Sequence, residues 1–471
     1  MTVVESEIKS RFEKAGQDHV FKYLSDISAD EKEALLAELN DIPVEKLERF
    51  LKAALEDQQY LGSPDDITPF SKHVGRSTDE QEALAAHDVG IKGIGRGEVA
   101  ALVLAGGQGT RLGFAGPKGM YDIGLKSGST LFQLLSERIL KLRRLASDPT
   151  NALAALPFYI MTSPINHDET IAFFEANHYF GLPKEDVCFF KQGMLPCLTN
   201  DGKIIMETSS KVAMAPDGNG GIYSSLHNSG MLADMDRRKI KHLHVFSIDN
   251  ALTKPADPVF IGHCILQNAD CGNKVVWKAG AHEKVGVIAE KGGRPCVVEY
   301  SDITKEMAER TDSDGRLVFG AGNICNHYYS LDFLKDVVLP KLGNMYHIAR
   351  KKIPFYDEAA KATVNPETNN GIKLESFIFD VFPFSERMAV LDVLREEEFA
   401  PVKNAPGSPS DSPDTARMYI SKLAKRWVSQ SGGILQADSD EVICEVSPLT
   451  SYGGEGLESL KGKEIKCPFS I

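Results

Sequence analysis

The sequence predicts an α/β protein: a three-layer central domain with a mixed, mostly parallel sheet, a helical region before it and a small α+β domain after it. Three observations predict this. From Glu98 onward, short apolar runs alternate with amphipathic helical stretches, the pattern of βαβ units covered on both faces. The stretch before Glu98 is rich in strong helix formers. Pro, Ser, Gly and Asp crowd together at 404–416, ahead of a last helix and short strands. The expected domains are therefore 1–97, helical; 98–403, central; and 404–471, C-terminal.

In chain order, Ile8, Phe12, Val20, Phe21 and Leu24 recur near helical spacing. SADEKEALLAELNDI and VEKLERFLKAALEDQ follow as two further helices, separated at Asp41–Pro43. A loop with Gly62, Pro64, Pro69 and Gly75 leads to the short helix DEQEALAAHDVGIKGI. EVAALVL is a strand running into a glycine-rich turn, and LFQLLSERILKLRRLA is an amphipathic helix starting near Thr130. PFYIMTS, DVCFFKQG and HLHVFSID are strand candidates, the first two separated by a helix in DETIAFFEANHYFG. Ligands of such sheets sit at the carboxyl ends of the strands. VVWKAG, VGVIAEKGGRPCVVEYSD and RLVFGAGNICNHYYS look hairpin-like, with Gly-Gly between two of the strands, and predict an antiparallel extension.

At 471 residues the chain is long enough for two or three domains, and 42% hydrophobic with 25% charged residues is a globular balance. A formal net charge of −13 with no Lys/Arg-rich block argues against nucleic acid as a partner. An anionic ligand must then be held by local features: oriented backbone N–H groups, a few cations, a metal. The eight cysteines are scattered without a CxxC, which predicts free thiols in a reducing compartment. No signal peptide or membrane span is expected, so the protein is placed in the cytoplasm.

The segment Leu104–Gly113, LAGGQGTRLG, follows the strand directly. Gly106, Gly107 and Gly109 remove the side chains that would hold a ligand off the backbone. Arg111 adds planar donors, and Lys118 a mobile charge. A Walker loop is excluded because the Gly-Lys-Ser/Thr end is missing. A dinucleotide loop would lead straight into a helix with GxGxxG spacing, which is absent here; Gly93, Gly95 and Gly97 lie on the wrong side of the strand. A plain tight turn is the remaining alternative.

Strand, glycine loop, Arg and Lys in this order resemble the opening of a Rossmann-like, GT-A type nucleotidyltransferase fold. LAGGQGTRLGFAGPKGMYDIGL closely resembles the eukaryotic UDP-N-acetylglucosamine (UDP-N-acetylhexosamine) pyrophosphorylases. The resemblance continues through FFKQGMLPC, APDGNGGIY, DNALTKPADPVFIG, GNICNHYYS, NGIKLESFIFDVFPF and KNAPGSPSDSPDTAR, over roughly 98–417.

The resemblance implies that the backbone of Leu104, Ala105, Gly106 and Gly107 holds uracil and ribose, and that Gln192 reads the uracil edge. An amide can both donate to and accept from uracil; read without the family, Gln192 is as well a loop hydrogen-bonder. Gly218 would lie against the nucleotide and Asn219 would bond the N-acetylglucosamine moiety, although PDGNGGIY alone could be an Asn-Gly hairpin turn. Asp249 would bind Mg²⁺, with Mn²⁺ as a substitute; otherwise a strand-end Asp is a cap. The sugar pocket would use Gly286, Glu299, Asn323, Phe377 and Phe379. The two Phe residues would share a face only if their segment is a strand; if it is helical, one belongs to the core. Lys373 and Lys403 would contact phosphates, although a lone Lys is ordinarily only solvated.

The implied reaction joins UTP and N-acetylglucosamine 1-phosphate into UDP-N-acetylglucosamine and diphosphate, with Arg111, Lys118 and Lys403 as the catalytic cations. The partners are these small molecules, not membrane or nucleic acid, acting on a monomer or weak homodimer. Three alternatives stay open: the same chemistry on N-acetylgalactosamine 1-phosphate or glucose 1-phosphate, a non-catalytic sugar-nucleotide binder, and, against the loop spacing, a nicotinamide-dependent oxidoreductase.

Overall fold

The computed structural model describes residues 3–59, 66–147, 154–342, 345–439 and 442–471, so Gly62 and Pro64 of the expected loop lie outside the described residues. The chain forms two compact units. One gathers Met1–Ser63, Gln192–Ser225 and Val338–Asp380; the other holds Pro64–Lys191, Leu226–Val337 and Val381–Ile471. The three expected domains run along the chain, whereas these units interleave.

The smaller unit starts with α1 (Val3–Lys14), α2 (Ala29–Asp41) and α3 (Val44–Gln59). Ser28 and Glu31 close a capping box that fixes the start of α2. Each helix is polar on one side, so its apolar stripe needs a partner. Phe12, Leu35, Leu39 and Phe50 find one in Leu198, Val212, Ile372 and Leu374. Burial of each such side chain contributes about 1.5–3 kcal/mol. The strand Gly371–Glu375 lies between His347–Lys351 and Leu198–Thr199, antiparallel to both.

The larger unit is built on an 11-stranded sheet. Its strands are β1 (Ile67–Pro69), β2 (Val74–Arg76), β3 (Val99–Leu104), β4 (Phe158–Thr162), β5 (Val187–Lys191), β6 (His242–Ser247), β7 (Cys271–Trp277), β8 (Val287–Lys291), β9 (Arg294–Val298), β10 (Ala321–Ser330) and β11 (Met388–Asp392). The main order is β2-β11-β7-β10-β6-β3-β4-β5. β6, β3, β4 and β5 are mutually parallel, as are β2, β11 and β7; β10 runs antiparallel to both β6 and β7. The expected antiparallel extension is the β8–β9 hairpin, which turns on Gly292 and Gly293, both at positive φ, and pairs with β1. β7 differs: it is antiparallel only to β10 and parallel to β11.

Every residue of β3 is buried, the continuous apolar run of a strand covered on both faces. Val99, Ala101 and Val103 pack in one core with Leu135, Ile139 and Leu142 of α5 (Leu131–Ala146). Between α4 (Glu80–Gly95) and the later helix Pro258–Leu266 the backbones touch: a Cβ at Gly90 would stand 2.0 Å from the Pro258 carbonyl, and one at Gly262 would stand 1.7 Å from that of Ala86. Downstream of the sheet, the helix Pro413–Gln430 starts at a Ser412 capping box, and its Ala416 and Leu423 join the main core. Ala424, Val428, Cys444, Leu457 and Phe469 make a small second core.

Several buried polar groups in this unit are paired. Fully buried Lys274 meets Asp257 at 2.5 Å and also Glu398. His244 accepts from the Ala256 N–H at Nδ1 (2.8 Å), which leaves Nε2 to donate to Asn326 Oδ1. All eight cysteines are free thiols. Among the described residues no helix is long and apolar enough to cross a membrane.

Candidate active site

In the larger unit, β3 delivers the glycine loop. Leu104 and Ala105 are still tied into the sheet: the Leu104 carbonyl accepts from Ile248 N (3.2 Å), and Ala105 N donates to the Met161 carbonyl (2.8 Å). Beyond them the chain turns. Gly109 N bonds the Gly116 carbonyl (3.0 Å) and Lys118 N the Gly107 carbonyl (3.1 Å), closing the loop on itself. Among the described residues, neither Gly106 nor Gly107 donates its N–H to another backbone group. A Cβ at Gly107 would meet nothing within 4 Å, whereas one at Gly109 would press on Phe114 at 2.8 Å and one at Gly119 on the Phe132 ring at 2.2 Å. Gly109 and Gly119 are thus required by packing, while the space over Gly107 is open.

Arg111, Lys118, Asp249 and Lys403 come together beyond the carboxyl ends of β3 and β6. Lys118 is half-buried. Burial lowers its pKa, Asp249 opposes that, and Lys403 and Arg111 add to the lowering. Lys403 Nζ lies 3.9 Å from Asp249 Oδ2. Three cations around one carboxylate form an anion-attracting site. Among the described residues no group of three or more His, Cys, Asp or Glu side chains could hold a metal ion. Asp249 therefore fits a divalent ion only as a single ligand, with phosphate oxygens and water completing the shell.

Gly286, Glu299 and Asn323 also meet in this unit. Asn323 N donates to the Gly286 carbonyl (2.8 Å), and a Cβ at Gly286 would stand 3.1 Å from Glu299 Oε1. Glu299 is half-buried; burial, and after it Asp302, raises its pKa. The Asn323 side-chain oxygen accepts from Cys325 N (3.1 Å), which leaves its NH₂ as a donor.

The remaining expected residues belong to the smaller unit. Gln192 Nε2 donates to the Gly218 carbonyl (3.0 Å). Asn219–Gly221 is a helical turn, not a hairpin turn: Gly220 N donates to the Ser376 carbonyl (2.9 Å), and Asn219 Oδ1 accepts from Ile378 N (3.0 Å). Gly218 has φ +88°, and a Cβ there would sit 2.1 Å from the Ser376 carbonyl, so only glycine fits. Lys373 is half-buried on its strand, opposite Ala349. Phe377 and Phe379 lie past the end of that strand, Phe379 in a short helix. The shared strand face is therefore absent, yet neither ring is in the core: they stack on each other (5.1 Å, 17°), and His347 stacks on Phe377 (5.0 Å).

Three groups escaped the sequence reading. Buried Asn166, at the start of α6 (His167–Ala176), donates its amide to the carbonyls of Ala105 (3.0 Å) and Gly107 (3.5 Å). Buried Asn250 accepts from Ala400 N (2.8 Å) and donates to the Glu398 carbonyl (2.7 Å), splicing the Asp249 loop to the segment that carries Lys403. Asp217 is wedged between glycines: a Cβ at Gly193 or Gly221 would strike its carboxylate, and burial raises its pKa to about 6. An asparagine after a strand and an aspartate before a glycine turn carry no sequence signal beyond capping.

The family model described as UTP--glucose-1-phosphate uridylyltransferase matches residues 45–418. The chain belongs to this family. It is similar to human "UDP-N-acetylhexosamine pyrophosphorylase-like protein 1", with 43% identity covering 99% of this chain and 97% of that one. It is likewise similar to "UDP-N-acetylglucosamine pyrophosphorylase" of Saccharomyces cerevisiae, with 42% identity over 97% of this chain and 98% of the relative. Among solved structures, the uridine diphosphate N-acetylglucosamine pyrophosphorylase of Trypanosoma brucei, in complex with an inhibitor, superposes with a TM-score of 0.85 at 32% identity, covering 98% and 95% of the two chains. The large, mostly parallel sheet with its glycine loop is thus the nucleotidyltransferase fold of this uridylyltransferase family.

Proposed function

We propose that the chain transfers the uridylyl group of UTP to N-acetyl-α-D-glucosamine 1-phosphate, giving UDP-N-acetylglucosamine and diphosphate. The observation that carries this reading is the grouping of Arg111, Lys118, Asp249 and Lys403 beside an open glycine loop, in a chain 42% identical over nearly its whole length to a UDP-N-acetylglucosamine pyrophosphorylase.

A sugar-phosphate oxygen attacks the α-phosphorus of UTP; the new O–P bond forms as the bond to the bridging oxygen of diphosphate breaks. The nucleophile is already an anion at neutral pH, so no side chain need take a proton. The obstacle is the approach of two polyanions, and catalysis is positioning with charge neutralisation. Arg111 and Lys118 hold the β- and γ-phosphates, while Lys403 and Lys373 screen the attacking phosphate. The amides of Gly106 and Gly107 bind the nucleotide, joined by Gln192 at the uracil edge and Gly218 against the nucleotide. Asn219, Gly286, Glu299, Asn323, Phe377 and Phe379 bind the hexosamine. Mg²⁺, with Mn²⁺ as a substitute, would neutralise phosphate charge when held by Asp249. The same reading takes the protein as cytoplasmic and as a monomer or weak homodimer.

Diphosphate release from UTP with a panel of sugar 1-phosphates, with and without Mg²⁺, tests it. Release is expected fastest with N-acetylglucosamine 1-phosphate and dependent on the metal. Binding of UTP and product without release would make the chain a sugar-nucleotide binder, and fastest release with the glucose or N-acetylgalactosamine ester would reassign the substrate.

A further inference from the structure

The glycine loop is not left to choose its own conformation. Asn166 is fully buried, and its side chain is itself held: Oδ1 accepts from Ser163 N (2.8 Å) and from Ser163 Oγ (3.0 Å). That fixes which end of the amide is NH₂, and the NH₂ donates to the carbonyl of Ala105 and, more weakly, to that of Gly107. The Gly107 carbonyl is held a second time by Lys118 N.

In a planar trans peptide the C=O and the following N–H point in opposite directions. A carbonyl anchored on Asn166 therefore turns the next N–H away from Asn166. For the Ala105 carbonyl that N–H belongs to Gly106; for the Gly107 carbonyl it belongs to Gln108. Neither donates to another backbone group among the described residues. Glycines at 106 and 107 would otherwise allow these peptide planes to flip at little cost. We infer that Asn166 is a positioning residue for nucleotide binding: it locks the two peptide planes so that the N–H groups of Gly106 and Gln108 present a fixed donor pair to the phosphate or base of UTP. The inference rests on the nucleotide role proposed above for the glycine loop.

Asn166→Asp is the near-isosteric test, because it keeps the acceptor facing Ser163 and replaces the donor by an oxygen that repels the two carbonyls. The KM for UTP is expected to rise about tenfold or more, the scale of one or two misdirected donors, with the KM for N-acetylglucosamine 1-phosphate little changed. The rise in melting temperature produced by UTP should shrink accordingly. Asn166→Ala, which removes the lock without adding repulsion, should show a smaller shift of the same selectivity. Gly107→Ala, measured alongside, separates the two readings. If it leaves the KM for UTP unchanged, the loop does not bind nucleotide and the functional reading itself fails. If it raises that KM while Asn166→Asp does not, only the Asn166 inference is overturned. It is overturned as well if Asn166→Asp raises both KM values equally in step with a fall in melting temperature, the signature of a purely structural brace.

Discussion

Lys403 Nζ stands 3.9 Å from Asp249 Oδ2, and the neighbouring main chain is tied to the same loop by Val402 N donating to the Asp249 carbonyl at 2.8 Å. The separation suits charge balance more than a hydrogen bond. Each side chain thus remains available to a phosphate or a metal, while the backbone splice holds their spacing. Asp249→Asn should lower turnover and raise the Mg²⁺ concentration needed for half-maximal activity; a metal titration of diphosphate release measures both. Lys403→Ala should lower kcat without that shift in metal requirement. The reverse pattern would exchange the two roles.

Lys118 has both Asp249 and Arg111 as charged neighbours, and it is more buried than Arg111. Replacing either by Ala should lower turnover by orders of magnitude, since loss of one charge-stabilising contact to a transition state costs roughly 3–4 kcal/mol. Steady-state kinetics of both variants check this. Near-normal turnover in both would remove them from the phosphate site.

Asn219 spends its side-chain oxygen on Ile378 N, so its NH₂ is the group left to meet an acetamido carbonyl. Asn219→Ala should raise the KM for N-acetylglucosamine 1-phosphate more than that for UTP. A larger effect on UTP would reassign the residue to the nucleotide.

Two buried histidines set a lower pH limit on the fold. Burial, with Lys274 adding to it, lowers the pKa of His244 to about 3; burial, then His244, does the same to His327. In the unfolded chain a histidine titrates near 6.5. Between these values the unfolded state binds more protons, so stability is complete above about 6.5 and falls as the pH drops toward 3, by up to about 1.4 kcal/mol per pH unit for each histidine. Melting temperatures measured from pH 7.5 down to 5 should decline through the lower part of this range. A flat profile would mean that these groups protonate without unfolding.

Much of this was legible in the sequence because burial on both faces writes itself as uninterrupted apolar runs. β3, β4 and β6 stand out for that reason, while the helices capped at Ser28 and Thr130 stand out by their strong helix formers and apolar stripe. The glycine loop, Arg111 and Lys118 were legible because small residues and cations directly after such a strand have few other uses. What stayed hidden depends on contacts between distant segments. No local pattern signals that α1–α3 share a core with Leu198 and Ile372, or that β7 is parallel to β11. Asn166, Asn250 and Asp217 act through neighbours far along the chain, and each alone looks like an ordinary cap. The Phe377–Phe379 pair comes together for a different reason than strand alternation: a helical turn at Ile378 brings the rings into a stack.

The most direct measurement is a crystal structure of the chain with UTP and Mg²⁺. The account predicts the nucleotide on the glycine loop, within hydrogen-bond reach of the Gly106 or Gly107 amide, with its phosphates beside Arg111 and Lys118 and the metal on Asp249. A nucleotide bound away from that loop, with Lys118 contacting no phosphate, would contradict it.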